Sequence, residues 1–308
     1  MAVVLTSSIA AAADLHARKM EIIQTPEGQV TVFSDSVTIA DGSTLIEAQL
    51  VRLNESRGVA VVSDSVRISS PEANIRADSA LYFLDARVTE LFGRVRVEMD
   101  SLVITAPHLY YLVGEKRVDA TSGLTLHTAS DGMRLRGARG SYWLDRKVGE
   151  VDSLPVVVWG GGVDAGQQDV DSVTATARNI TWLGIEEAAV LAGDVRVGTG
   201  RSALTADSLR YWTRGDTGIA WGDPHIADTL GSTEGDTIHL LVRDGALYRV
   251  VVAGTARGRY ATAGSGDVEV AGRLIRIRFD QGELDVIEVE SMSYGRLVQR
   301  GGAGGEQR

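Results

Sequence analysis

The chain reads as an all-β array of stacked repeats. Three observations say so: a fixed internal period, apolar–polar alternation inside each unit, and a near absence of helix signals. The period is 29 residues. The small residue that opens each unit falls at Ala48, Ala77 and Ala106, and again at Ala177, Ala206 and Gly235, in steps of 29 inside each set. Ala138 and Gly272 open two more units after steps of 32 and 37. A second signature keeps the same phase, since Ser34-Asp35-Ser36-Val37-Thr38-Ile39 returns as Ser63-Asp64-Ser65-Val66-Arg67-Ile68. Self-similarity at a fixed step describes one supersecondary unit stacked many times, each burying its apolar face on its neighbours.

Within a unit the first element is a strand. The third and fifth residues after the small one are Val51 and Leu53, Ala80 and Tyr82, Leu109 and Tyr111, then Ser141 and Trp143. The series continues with Ile180 and Trp182, Leu209 and Tyr211, Ile238 and Leu240, and Ile275 and Ile277. Between them stand residues such as Arg52, Tyr110, Arg210 and His239, a face that water reaches. Period two with one apolar side is the signature of a half-buried strand. A turn-rich link follows, as in Leu84-Asp85-Ala86-Arg87 and Thr213-Arg214-Gly215-Asp216.

The second element is a shorter strand introduced by glycine, as in Gly93-Arg94-Val95-Arg96-Val97, Gly193-Asp194-Val195-Arg196-Val197 and, more loosely, Gly123-Leu124-Thr125-Leu126. Gly184 to Leu191 is the single stretch with helical character, and it is short and falls where a link belongs. Asp78, Asp207 and Asp236 recur at one repeat position, which points to a turn or edge role for them.

The phase breaks at a Gly-rich insertion, residues 159–171, expected to be an exposed loop. Because the step of 29 resumes beyond it, residues 14–298 are expected to form one array, followed by a flexible tail at 299–308. Met1 to Ala13 is apolar and small and ends in four alanines. It reads either as the back half of a secretory signal or as an alanine-rich terminus.

Composition narrows the function classes. The 308 residues are 44% hydrophobic with a formal net charge of −10, acids and bases interleaved, so the basic stripe of a nucleic-acid binder is missing. Cysteine is absent, which removes disulfides and thiolate chemistry. No apolar run is long enough to cross a membrane as a helix. The histidines lack ligand spacing, the glycine clusters do not match a phosphate loop, and no nucleophile stands beside a base. No catalytic, cofactor or metal site is therefore expected.

The pattern small-Asp-x-apolar-x-Tyr, turn, Gly-x-Val-x-Val is clearest from Ala77-Asp78 to Val97 and from Ala206-Asp207 to Trp221. It resembles the OstA-like family, which contains LptA and the periplasmic domain of LptD, and the resemblance spans roughly residues 17–298. It implies a β-jellyroll of two facing antiparallel sheets, an open V-shaped stack of about nine units about 40 Å tall at one strand layer per unit. It also implies a periplasmic module that carries lipopolysaccharide acyl chains in the groove between the sheets. Its partners would be other jellyrolls of the export bridge, joined by edge-strand addition, or further copies of itself head to tail. The need is physical: at about 0.8 kcal/mol per CH₂, a chain of a dozen carbons is worth roughly 10 kcal/mol of hydrophobic burial. Candidate groove residues are Leu53, Tyr82, Leu109, Tyr111, Trp143, Ile180, Trp182, Leu209, Tyr211, Ile238 and Leu240. In a closed sandwich the same side chains would only pack on one another, as a structural β-solenoid without cargo requires.

Overall fold

The computed structural model describes residues 13–26, 28–128, 132–159, 173–199, 202–243, 246–262, 266–280 and 283–298. The N-terminal segment through Ala12, residues 160–171 of the inserted loop with residue 172 after it, and the tail from 299 lie outside the described residues, while Trp159, expected in that loop, ends a strand. The described residues hold strands and two 3₁₀ turns, with no α-helix among them. The chain divides into two compact units, Met1–Ser153 and Leu154–Arg308.

Unit 1 contains β1 (Ala13–His16), β2 (Lys19–Thr25), β3 (Gly28–Asp41), β4 (Thr44–Asn54), β5 (Val59–Ser69), β6 (Asn74–Phe83) and β7 (Val88–Glu98). It continues with β8 (Leu102–Leu112), β9 (Arg117–Ala120), β10 (Leu124–Thr128), β11 (Arg134–Gly137), β12 (Gly140–Trp143) and β13 (Val148–Val151). Unit 2 contains β14 (Val156–Trp159), β15 (Val173–Thr176), β16 (Asn179–Leu183), β17 (Ala188–Gly198), β18 (Ala203–Trp212) and β19 (Thr217–Trp221). It ends with β20 (His225–Ala227), β21 (Gly231–Glu234), β22 (Thr237–Arg243), β23 (Ala246–Thr262), β24 (Gly266–Asp280) and β25 (Glu283–Val298).

From β3 to β8 each strand pairs antiparallel with the next, and every pairing shifts register near mid-strand. Between β3 and β4, Ser34 pairs with Leu50 and Val37 with Ala48, so Asp35 and Ser36 oppose the single residue Gln49. Two residues against one is a β-bulge, which bends the strand. Asp35 and Ser36 take φ of 63° and 61°, and their repeats Asp64 and Ser65 take 65° and 64°. Asp is among the few residues other than glycine that enter this left-handed region with any frequency. The repeated Ser-Asp-Ser signature is thus the bend itself. It puts the two halves of each long strand in two walls that face each other.

Of the glycines expected to start a separate second strand, Gly123 does so before β10, whereas Gly93 and Gly193 lie in the middle of continuous strands. Gly93 in β7 has φ +92° and Gly193 in β17 has φ +77°. The recurring aspartates explain why glycine is used there. A Cβ on Gly93 would sit 2.3 Å from Asp78 Oδ2, and one on Gly254 would sit 2.0 Å from Asp236 Oδ2. Asp207 covers Gly222 in the same way. Asp78 accepts from the Arg94 backbone N–H at 3.2 Å and from its guanidinium at 2.9 Å. These bonds, with the charge of Arg94, hold the Asp78 carboxyl below the usual carboxylate range. The repeated aspartate is therefore a latch over the bulge.

Hairpin ends carry a second left-handed residue at the same period: Gly58, Arg87 and Lys116 in unit 1, Glu187 and Asp216 in unit 2. The carbonyls of Gly58, Arg87, Glu187 and Asp216 each accept an N–H from the next hairpin, at 2.8 to 3.1 Å. Turn is thereby tied to turn along the stack. The stretch from Gly184 to Leu191 is one of these ends, not a helix: Gly184–Glu187 turn and Ala188–Leu191 open β17, paired with β16 and β18. Its carbonyls and N–H groups find sheet partners, which a single helical turn on the surface would lack.

The phase changes at β11 and β12. Thr125 pairs with both Thr105 and Arg136, so Gly137, not Ala138, holds the place of Ala106. A Cβ at Gly137 would already lie 2.2 Å from Val151 Cγ1. A slip of one residue exchanges the faces of a strand. Tyr142 is accordingly the buried aromatic, and the expected groove residue Trp143 lies on the other face, with the Arg117 and Arg146 guanidinium carbons 5.9 and 4.9 Å from its ring.

If the bulge glycine is fixed by both backbone and latch, Gly93→Ala should lose about 1–3 kcal/mol. A thermal melt would show a fall of several degrees, whereas Gly114→Ala, at a site with open space around it, should change little.

Candidate functional site: the apolar interior between the walls

The inward residues of unit 1 form a filled core. Leu53 is 2% exposed and Tyr82, Leu109 and Tyr111 are 1% exposed. Leu91, Val62 and Val97 from the same interior are fully covered. Burial on this scale is worth about 1.5–3 kcal/mol per large aliphatic side chain, and native packing leaves little void.

The tips of the two walls in unit 1 are also joined. Asp41 ends β3 at the tip of one wall, and its carboxylate is buried. It accepts from the Tyr82 hydroxyl at 2.8 Å and from Arg87 Nη2 and Nε at 2.6 and 2.9 Å, both groups belonging to the other wall. A hairpin further along, Lys116 pairs with Glu72 across the same gap. Burial, and then the bond to Asp41, push the Tyr82 hydroxyl above its ordinary range.

Unit 2 is built on the same plan with a different interior. Ile180, Trp182, Leu209 and Ile238 are buried as expected of inward positions, while Tyr211 and Leu240 are only half-buried. Leu209, Tyr211 and Leu240 line a cavity of about 70 Å³ together with Trp159, Val242 and Leu247. Val197, Leu204 and Ile226 complete the opposite wall. The Trp159 and Tyr211 rings are 5.1 Å apart across the gap. Trp159 Nε1 is buried and has no hydrogen-bond partner among the described residues. Ile226 and Leu247 also line a second cavity of about 20 Å³, which reaches Tyr260, Phe279 and Leu284. Burial raises the Tyr260 hydroxyl to about 12.

The tips of unit 2 carry charges that pair along their own wall. Arg210 meets Glu186, Arg214 meets Glu187 at 3.9 Å, and Arg278 meets Asp285 at 2.7 Å. Tyr211, at the repeat position of Tyr82, donates its hydroxyl to Asp216 of its own hairpin at 3.0 Å. The aromatic that helps to close unit 1 is thus turned to its own wall in unit 2.

The structure therefore places Leu209, Tyr211 and Leu240 on one apolar cavity, puts Ile180, Trp182 and Ile238 in the core, and seals Leu53, Tyr82, Leu109 and Tyr111 inside unit 1. Sequence reading omitted Trp159, Val242 and Leu247. Trp159 stands at the mouth of the Gly-rich insertion, and Val242 and Leu247 lie past the fifth position, where strand alternation runs into a hairpin.

No family model matches the chain, and no curated protein matches it. Among solved structures, it is similar to LptH, described as the LptA homologous periplasmic component of the lipopolysaccharide transport device of Pseudomonas aeruginosa. The likeness covers 32% of this chain and 75% of that one, with 15% identity and a TM-score of 0.29.

Two outcomes follow from the buried groups. Removing the Arg87 guanidinium leaves the Asp41 carboxylate buried with a single hydroxyl donor, so Arg87→Met should cost about 3 kcal/mol in chemical denaturation. The second concerns alkali. Tyr142 and Tyr260 are raised by burial above the unfolded value near 10, so the folded state keeps its protons where the unfolded state loses them. Their contribution to stability should be constant below about pH 10 and fall above it by about 1.4 kcal/mol per pH unit for each tyrosine. Tyr260→Phe should flatten that decline up to about pH 12 in urea titrations.

Proposed function

We propose that the protein is a periplasmic lipopolysaccharide-binding and transport module, and that unit 2 is the part that takes acyl chain. The observation that carries this reading is the apolar cavity between Trp159, Leu209, Tyr211, Leu240, Val242 and Leu247. Its lining is mostly hydrocarbon, with the Trp159 and Tyr211 rings and the hydroxyls of Thr199 and Ser202 but no charged residue among the described ones, so an unfilled state forfeits dispersion contacts that an alkyl chain restores. The two walls are hinged along the bulges, and the tip charges beside the cavity pair within one wall. Among the described residues, entry of a chain therefore breaks no ion pair across the gap. The OstA-like repeat pattern supports lipopolysaccharide as the cargo.

Each unit has a strand with a single neighbour among the described residues, and these edges support partners of the same architecture. β2 pairs only with β3, and β25 only with β24, among the described residues. Met20 and Ile22 face the side of Phe33 and Thr31 and are 39% and 56% exposed. Met292 and Leu297 on β25 are 63% and 57% exposed. A strand edge with apolar side chains on its inner face suits addition of another jellyroll, including a second copy.

A closed structural array is the second reading, favoured by one observation: unit 1 is packed throughout and joined at its tips.

A photoreactive amino acid at Leu240, in protein exported to the periplasm of a lipopolysaccharide-producing cell, should give a lipopolysaccharide adduct, and one at Arg196 should not. Val242→Phe, which fills the cavity, should abolish the Leu240 adduct while the melting temperature holds or rises. A folded protein silent at Leu240 would favour the closed structural array.

A further inference from the structure

The outer surface of unit 2 holds a concavity of about 790 Å³ where β23, β24 and β25 bend. That volume suits a small-molecule site. It opens on the opposite side of the wall from the apolar interior, because Tyr260 and Ile226, which face inward, alternate along their strands with Arg259 and His225. Small residues make the hollow. Gly254 (φ +96°) occupies the bulge of β23, and Ala271 lies in the cross-strand row between Arg257 and Tyr294.

This bulge is latched by Asp236, which takes the Thr255 hydroxyl at 2.7 Å and not an arginine. Arg257, Arg259 and Arg273 face Glu234 and Glu269, an excess of one positive charge in a chain of net −10. Arg259 pairs with Glu269. Arg257 and Arg273 are exposed and have no carboxylate within ion-pair distance among the described residues. At the corresponding bend in unit 1, Arg94 is neutralised by Asp78. Hydroxyls of Ser232, Ser291 and Ser293 and the half-exposed ring of Tyr294 line the rest.

Two unpaired guanidinium groups offer the forked donors that match a phosphate. A free carboxylate and several hydroxyls offer acceptors and donors for sugar hydroxyls. The near balance of the lining charges disfavours a polyanion, which would need a basic stripe. We infer that this surface binds a phosphorylated saccharide, with its phosphate on Arg257 and Arg273 and its hydroxyls on Glu234, Ser291 and Ser293. The ligand is either a free sugar phosphate or the headgroup of a glycolipid, since both present the same chemistry. The inference stands apart from the acyl-chain reading, as the two sites lie on opposite faces of the wall.

Calorimetric titration of the full chain tests it, with glucose 6-phosphate, glucose and inorganic phosphate as soluble probes. Phosphatidylcholine vesicles, with and without a glycolipid bearing a phosphorylated glucosamine headgroup, are the membrane probe. Binding of glucose 6-phosphate assigns a free ligand, and binding only to glycolipid vesicles assigns a headgroup. In either case Arg257→Gln and Arg273→Gln should each weaken binding about tenfold or more, with Arg196→Gln unchanged within about twofold. No binding to any probe at millimolar concentration overturns the inference, as does binding by both variants as tight as that of the unmodified chain. Inorganic phosphate binding as tightly as the sugar phosphate overturns the saccharide assignment, and glucose doing so overturns the role given to the arginines.

Discussion

The structure depends on the mid-strand bulge. In β5 the inward residues run Ala60, Val62, then Val66 and Ile68, and the left-handed pair Asp64-Ser65 sits between the two sets. In the partner strand β6 they run Ile75, Ala77, then Ala80 and Tyr82, with Asp78 and Ser79 between. One strand crosses from wall to wall with an even step and the next with an odd step, and the mismatch of one residue is the bulge. A bulged strand, an unbulged strand and their two hairpin ends make up the repeat of 29 residues. Because the long strands β3 to β8 bend at the same height, an antiparallel meander becomes two facing walls. The interior between them follows from that bend, as does the hollow on the outer face.

Much of this was legible in the sequence, since period and alternation are local properties. The inward faces of β4, β6, β8, β16 and β18 followed from counting residues after a small one. The recurring aspartate reads as a turn or edge residue, whereas Asp78 and Asp207 lie inside strands paired on both sides, latched over Gly93 and Gly222. Two things were not legible. A glycine before Val-x-Val looks the same whether it starts a strand or bends one, because left-handed backbone is needed in both. The slip at Gly137 is hidden in the sequence because Ala138 is also small, and a count from Ala138 puts Trp143 on the inward face.

The difference between the two units was less accessible still. Tyr82 and Tyr211 hold the same repeat position, yet one hydroxyl reaches Asp41 on the facing wall and the other stays with Asp216 in its own hairpin. That outcome is decided by Asp41, 41 residues from Tyr82 and 46 from Arg87. Its separation from either partner is longer than one repeat, so no periodic reading reaches it. A repeat fixes which residues face inward. The contacts at the tips decide whether the inside is core or cavity.

The central claim is that hydrocarbon enters the interior of unit 2 and not that of unit 1. Methyl-labelled protein bound to lipopolysaccharide in detergent tests it most directly, through nuclear Overhauser contacts between acyl-chain protons and leucine and valine methyls. Contacts at Leu209, Leu240, Val242 and Leu247, with silence at Leu53, Leu91 and Leu109, are the predicted result. Acyl contacts with the unit 1 leucines, or none with the four in unit 2, would contradict it.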